Sequence, residues 1–248
     1  MNKIQGRKIF HYEKARVINL HEYTHNIKDI NGLLLKRIFD ISVSFFVIIF
    51  ILSWLLPILA ILIKFSSKGP VFFIQKRMGA SGKVFNCIKL RTMVINDQAN
   101  IQQAYKNDPR ITFIGKFLRL SCMDELPQFF NVFIGNMSIV GPRPHMIKDC
   151  HEFSKIIPAY NLRNLIKPGI TGMAQVKGFR GQTVDNYDVV HRFKWDMFYI
   201  KNLSFRLDMR IIKLTITTTL SAIFVRAFAD KEPLTANTFG FEAREILN

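Results

Sequence analysis

The chain has 248 residues, and 35 Lys and Arg stand against 18 Asp and Glu, a formal charge of +17. The length allows one globular core of about 150 residues beside a membrane element, and the charge demands an anionic partner: lipid headgroups, phosphates or nucleic acid. Cys87, Cys122 and Cys150 are odd in number and lack metal-type spacing, so they read as reduced thiols in a cytosolic compartment.

Residues 1–35 form a polar, basic leader without strong periodicity. Ile41 to Ile63 then gives 23 residues without a formal charge. At about 1.5 Å per residue, a straight helix of that length just crosses a bilayer core of about 30 Å. Pro57 lies well inside it, and its missing donor predicts a kink or break between Ser53 and Pro57, with the Ser53 hydroxyl helping to cover freed carbonyls. Basic residues flank both ends, Lys36 and Arg37 before and Lys64 and Lys68 after, followed by Lys76, Arg77, Lys83, Lys89 and Arg91. Both ends therefore favour one side of the membrane. A re-entrant helix-break-helix over 36–66 satisfies this better than a kinked span, which is the alternative. The mostly polar leader and the lack of a small-x-small site argue against a cleavable signal peptide.

Val71–Ile74 and Val84–Ile88 read as short strands around a turn with Gly79 and Gly82, and a polar helix over Asn96–Lys106 ends at Asn107-Asp108-Pro109. Ser121 to Asn136 carries the most chemistry. Pro127 is tolerated only in a first helical turn, so a helix is expected to start near Asp124, with Leu126, Phe129, Phe130 and Phe133 as its apolar stripe. Asp124 and Glu125 then sit at its amino end, where the helix dipole favours ionised carboxylates and attracts phosphate. Two adjacent carboxylates can hold Mg2+ against substrate phosphate, and one can attack phosphorus; simple capping is the competing reading.

In Gly141-Pro142-Arg143-Pro144 the prolines stiffen the backbone around Arg143, which suits bidentate phosphate recognition as well as an ordinary tight loop. Lys167-Pro168-Gly169-Ile170-Thr171-Gly172 is either a plain turn or a loop whose glycines admit a phosphate or ribose. Lys89, Arg91, Arg110, Lys116 and Arg119 add cations close by in sequence. Leu214–Val225 is apolar but too short to span; with Phe205, Leu207, Met209, Ile211 and Ile212 upstream it forms interfacial helices or packs on the core.

The ordered set of these tracts resembles the bacterial sugar transferase family, the polyprenyl-phosphate hexose-1-phosphate transferases or monotopic phosphoglycosyl transferases. The likeness runs from Lys36-Arg37-Ile38-Phe39-Asp40 through Gly69-Pro70-Val71-Phe72-Phe73, Gln75 with Arg77 and Gly79, and Lys89-x-Arg91-Thr92-Met93. It continues in Asn107-Asp108-Pro109-Arg110-Ile111-Thr112, Gly115 with Arg119, Asp124-Glu125-Leu126-Pro127-Gln128, Gly141-Pro142-Arg143-Pro144 and Pro168-Gly169-Ile170-Thr171-Gly172.

The resemblance implies a mostly helical α+β monotopic membrane protein of the core-only form. A re-entrant helix bends at Pro57, a cytosolic catalytic domain covers 67–212, and an interfacial helix and tail cover 213–248. It implies transfer of a hexose 1-phosphate from a UDP-sugar to undecaprenyl phosphate at the cytoplasmic face of the bacterial inner membrane, releasing UMP and initiating exopolysaccharide, capsule or O-antigen assembly. Asp124 would be the nucleophile, Glu125 a Mg2+ ligand with Asp124 as a second candidate ligand, and Lys89, Arg91, Arg119 and Arg143 would neutralise the diphosphate. Pro168, Gly169, Thr171, Gly172 and Arg180 complete the expected nucleotide and phosphate contacts. Gly178-Phe179-Arg180-Gly181-Gln182-Thr183 is similar to a tract of glucose-1-phosphate transferases, with Gln182 in place of the usual acid and Lys177 where asparagine is common. Glucose is favoured, with galactose or an N-acetylated or diamino sugar as the alternative. The expected partners are the UDP-sugar, undecaprenyl phosphate and an anionic bilayer, with a homodimer left open. Nucleic acid is not among them; a membrane-tethered nucleic-acid-binding protein is the remote alternative, which the charge motivates and no nucleic-acid motif or aromatic-basic stripe supports.

Overall fold

The computed structural model describes residues 30–96, 104–105, 108–181 and 185–228. The expected leader, most of the Asn96–Lys106 helix, Gln182 and Thr183, and the tail beyond 228 lie outside the described residues. Among the described residues the chain is mostly helical, with two small sheets. Helix α1 (Ile30–Val47) passes through a widened π turn (Ile48–Leu52) into α2 (Ser53–Ser66), and together they form one long apolar helix. Its length and composition suit membrane association.

The expected break between Ser53 and Pro57 is instead a π turn just upstream, and Pro57 stays inside α2. The physical reason lies in which groups take the carbonyls. In the widened turn the Ser53 amide bonds back to the Ile48 carbonyl. Ser53 Oγ then donates to the Ile49 carbonyl at 2.5 Å and Trp54 Nε1 to the Phe50 carbonyl at 2.8 Å, so the irregular turn keeps its carbonyls covered without water. Outward-facing Phe46, Phe50, Trp54 and Ile61 leave a broad apolar surface exposed.

Both ends of this helix are fastened to the same domain. Near the start, Lys36 Nζ donates to the Val140 carbonyl at 2.9 Å and pairs with Asp208 at 2.7 Å. Arg37 donates to the carbonyls of Val132 and Phe133, and buried Asp40 accepts from the Ile139 amide at 3.0 Å. At the other end Arg91 donates to the Ser67 carbonyl at 2.7 Å and also to the Lys68 carbonyl, while Leu59 and Ile63 pack with Leu90 and Leu118.

Strands β1 (Phe72–Met78) and β2 (Val84–Leu90) form an antiparallel hairpin with Phe72 opposite Leu90, longer than the sequence suggests. Then come α3 (Phe113–Leu120), a 3₁₀ turn (Met123–Glu125) and α4 (Gln128–Phe133). Strand β3 (Ser138–Val140) pairs in parallel with β4 (Gly169–Thr171), and α5 (Ile147–Ile156) lies on the crossover between them. Helices α6 (Met173–Val176), α7 (Asn186–Lys201) and α8 (Phe205–Phe228) follow. The main core joins Cys87, Val132, Met137, Val140, Tyr199 and Ile211. Helix α8 runs unbroken through residue 213: its first turns bury Asp208 and Ile211, while Ile216, Leu220 and Phe224 are exposed.

Candidate active site

Asp124 and Glu125 do not open an α-helix, as their sequence context suggests; α4 begins at Gln128, with Pro127 as its cap. Cys122 adopts a left-handed conformation (φ 58°), which turns the chain out of α3 and presents the two acids on the 3₁₀ turn. The expected stripe, buried or lipid-facing, is half-buried at Leu126, Phe129 and Phe130, with Phe129 packed on the core. Phe133 is exposed, and the buried face of α4 carries Gln128, Asn131 and Val132. Polar Asn131 is buried because it completes the strand beside it, accepting from the Ile88 amide at 2.9 Å and donating to the Asn86 carbonyl at 2.7 Å. That clamp holds the acidic turn against β2, within reach of Lys89.

Glu125 is the electrostatic hub. Its Oε1 accepts from Lys89 Nζ at 3.0 Å and Arg143 Nη2 at 2.5 Å, and its Oε2 from Arg143 Nη1 at 3.1 Å. Burial opposes ionisation, yet the Arg143 guanidinium and Lys89 ammonium hold Glu125 well below the usual carboxylate range. Asp124 is pushed the other way, first by burial and then by the neighbouring Glu125 charge, with Lys89, Arg119 and Arg143 only partly offsetting this. The ion pairs of Lys89 and Arg143 go to Glu125, not to Asp124. Two adjacent carboxylates thus have separate roles set by environment: one tied, one poised.

Arg143 is placed by packing beneath its loop. Gly141 and Gly169 touch backbone to backbone; a Cβ on Gly169 would lie 2.1 Å from the Gly141 nitrogen. The Pro168–Gly172 tract is therefore the β4 partner of the arginine loop and lies away from the cavity, so Pro168, Gly169, Thr171 and Gly172 support the site without lining it. Thr171 Oγ1 spends its hydrogen bond on Thr215 Oγ1 at 2.6 Å. A buried arginine, Arg163, donates to the Arg143 carbonyl at 2.8 Å while paired with Asp196.

A cavity of about 870 Å³ opens over these groups, bounded by Lys89, Arg91, Arg119, Asp124, Glu125, Arg143 and Arg180, together with Arg77, His145, Asp149 and Arg192. Arg119 is held at 2.8 Å from Thr92 Oγ1, a contact made possible by Gly115, where a Cβ would lie 1.9 Å from the Thr92 carbonyl oxygen. Arg180 donates to Cys122 Sγ at 3.0 Å. Arg91 borders the cavity, but its guanidinium closes the end of the apolar helix. Arg110 pairs with Asp108, and Lys116 is exposed outside the cavity. Cations outnumber carboxylates on this wall, as a phosphate-binding cleft requires.

Sequence reasoning gave no role to Arg77, Asn131, His145, Arg163, Arg192 or Asp196. Arg77 counts above only among the basic residues after the apolar segment and in a motif quoted for its resemblance. His145 directly follows Pro144 but is one residue outside the quoted motif, and the others meet the site through tertiary packing.

The bacterial sugar transferase family model matches residues 31–222. The UDP-glucose:undecaprenyl-phosphate glucose-1-phosphate transferase of Klebsiella pneumoniae is 45% identical over 190 residues, 75% of this chain and 41% of that protein. The exopolysaccharide production protein PSS of Rhizobium leguminosarum bv. phaseoli is 41% identical over 194 residues, 76% of this chain and 96% of the relative. A UDP-N-acetylgalactosamine-undecaprenyl-phosphate N-acetylgalactosaminephosphotransferase of Aeromonas hydrophila is 42% identical over 168 residues, 67% of this chain and 39% of that protein. The chain thus spans about two fifths of the length of the Klebsiella and Aeromonas relatives.

Proposed function

Because the chain belongs to the bacterial sugar transferase family, we propose that it moves a hexose 1-phosphate from a UDP-sugar to undecaprenyl phosphate, at the start of exopolysaccharide, capsule or O-antigen synthesis. The observation that carries this reading is the divided pair: Glu125 locked by Arg143 and Lys89, and Asp124 beside it on the same cavity, free of those ion pairs and with its pKa raised. An oxygen of Asp124 attacks the sugar-bearing phosphorus, the bond to the bridging oxygen breaks, and UMP leaves. An oxygen of the lipid phosphate then attacks the same phosphorus and restores the Asp124 carboxylate. Lys89, Arg119 and Arg143 stabilise charge on the transferring group. This two-step route predicts ping-pong kinetics.

The acidic pair fits Mg2+ by its donor set. Oε2 of Glu125 carries one hydrogen bond and keeps a lone pair open, Asp124 adds a second carboxylate, and Mg2+ is commonly held by one or two carboxylates with substrate phosphates. Bound there, the ion would neutralise phosphate charge. Among the described residues no cluster of three or more His, Cys, Asp or Glu could hold a metal without substrate.

Re-entry of the apolar helix, with the site facing the cytoplasm, belongs to the same reading. A straight helix of 36 residues would be roughly 54 Å long. What supports a bend is that its first turns bond to Val132, Ile139, Val140 and Asp208 while its last turn packs on Leu90 and Leu118 of the same domain. The exposed apolar residues of α8 suit a headgroup-level position.

Glucose is the favoured sugar, from the names of relatives such as that of Klebsiella. The Aeromonas relative supports an N-acetylated sugar as the second reading. Incubating membranes containing the protein with a panel of UDP-sugars and polyprenyl phosphate tests both: the donor is the one from which UMP release continues past one equivalent of enzyme only when acceptor is present. UMP release from none of them overturns the reading.

A further inference from the structure

Beyond Arg143, the cavity wall carries two arginines that none of the roles above uses. Arg77, on β1, donates from Nη1 to the Pro144 carbonyl at 3.3 Å and from Nη2 to Gln75 Oε1. Arg192, on α7, places Nη1 3.3 Å from His145 Nε2 and donates from Nη2 to the Gly181 carbonyl at 3.2 Å. Both line the cavity, and the Nε of each, like that of Arg91, which is committed to the helix end, is buried without a hydrogen-bond partner among the described residues. A buried donor on a charged group left unmatched is costly, and two such donors on one wall of a cleft need an explanation.

The neighbours do not supply one. His145 is buried and takes no positive charge: desolvation, with Arg163, Arg192, Arg77 and Arg143 around it, holds its pKa well below the usual value. A neutral ring accepting from Arg192 at Nε2 carries its proton on Nδ1, which donates to Tyr160 Oη at 2.6 Å. Asp149 borders the same wall; its charge and that of Glu125 favour the Arg77 cation and Asp196 favours that of Arg192, but Glu125 is tied to Arg143 and Lys89 and Asp196 to Arg163. Desolvation also lowers the pKa of both arginines, a cost that an anion in the cleft would offset.

Arg77 and Arg192 bond to residues 144 and 145, next in the chain to Arg143, and consecutive Cα atoms lie about 3.8 Å apart. Both guanidiniums also lie close enough to Arg143 on the same cavity to feel its charge, so a diphosphate with one phosphate at Arg143 has the second pair beside it. We infer that Arg77 and Arg192 form a second phosphate subsite, which receives the nucleoside-side phosphate of the donor and holds it until the nucleoside monophosphate leaves. This rests on the donor reading under Proposed function.

The test is calorimetric titration of the intact protein in lipid nanodiscs with uridine monophosphate and, separately, with a short-chain prenyl phosphate. Arg77→Lys and Arg192→Lys retain charge but lose the fork of donors, and each is expected to weaken uridine monophosphate on the order of tenfold while leaving prenyl phosphate unchanged. Asp149→Asn removes the opposing carboxylate and is expected to tighten uridine monophosphate severalfold, a gain that misfolding cannot produce. Loss of prenyl phosphate affinity in place of nucleotide affinity overturns the assignment, as does unchanged nucleotide affinity in all three variants. If the wild-type protein releases UMP from a donor while the variants bind it normally, only the subsite fails; if it releases none, the transferase reading fails first.

Discussion

Arg163 donates from Nη2 to the backbone carbonyl of Arg143 at 2.8 Å and from Nε to Asp196 Oδ2 at 3.0 Å, so a buried ion pair holds the loop that presents Arg143. Removing one partner of such a pair leaves an uncompensated buried charge. Asp196→Ala is expected to cost about 3–5 kcal/mol of stability. Arg163→Lys keeps the charge but cannot serve both acceptors in the same geometry, so kcat should fall at least tenfold, with membrane association retained. Thermal unfolding and steady-state UMP release check the two effects. Unchanged kcat in Arg163→Lys would show that the Arg143 loop holds its shape without this tether.

Asp124 has the opposite energetic sign from a structural carboxylate. Its folded pKa is raised, so its ionised form weakens the fold: the favourable contribution is complete below the unfolded value near 3.9 and is lost as pH rises through the folded value. Asp124→Asn is expected to abolish sugar-phosphate transfer and to raise Tm at neutral pH, with the gain vanishing below about pH 4. A labelled UDP-sugar should leave phosphosugar on the wild-type polypeptide and none on the variant. The acid limb of activity should lie above the titration of an ordinary aspartate, because the attacking group must be ionised.

Glu125→Gln should shift stability the other way. The Glu125 pKa is depressed, so its contribution is present above the unfolded value near 4.3 and disappears only as pH falls through the lower folded value. Losing the carboxylate leaves Arg143 and Lys89 facing each other across a neutral amide, a cost of about 3–5 kcal/mol at pH 7. Opposite Tm shifts for neighbouring carboxylates in one unfolding experiment would be hard to obtain if both acids merely capped a helix.

How much of this is legible in the sequence follows the range of the interaction. The apolar helix, the hairpin around Gly79 and Gly82, and the acidic pair with Arg143 are written in local pattern and stiff dipeptides. The start of α4 is not, because Asn131 is buried by bonds to Asn86 and Ile88 more than 40 residues away, and this overrides the phenylalanine periodicity. The glycines at 169 and 172 look like a ligand loop for the same reason they pack: a missing Cβ admits either a phosphate or another backbone, and here Gly141 takes the space. Arg192 reaches the cavity from α7 and His145 from the loop just after Pro144, while Arg163 sits behind the Arg143 loop, and none of the three has a motif of its own.

The apolar helix offers the last prediction. Lys36 and Asp40 at its start and Ser67 and Lys68 after its end are all bonded to the domain that carries Asp124, so both ends should react from the same side. Single cysteines at Gly32 and Ser67, in a chain whose native cysteines are changed to serine, should both label with an impermeant maleimide only in inside-out vesicles. Pro57→Leu restores the missing amide donor and is expected to straighten the helix, carrying position 32 across and reversing its labelling while position 67 stays as before. That change must also break the Lys36–Asp208 pair and the Asp40 bond to Ile139, so the variant should lose transfer activity even though Pro57 lies far in sequence from the acids. Opposite-side labelling in the wild-type chain would leave a spanning helix as the only arrangement compatible with the data, and the headgroup-level site with it would fall.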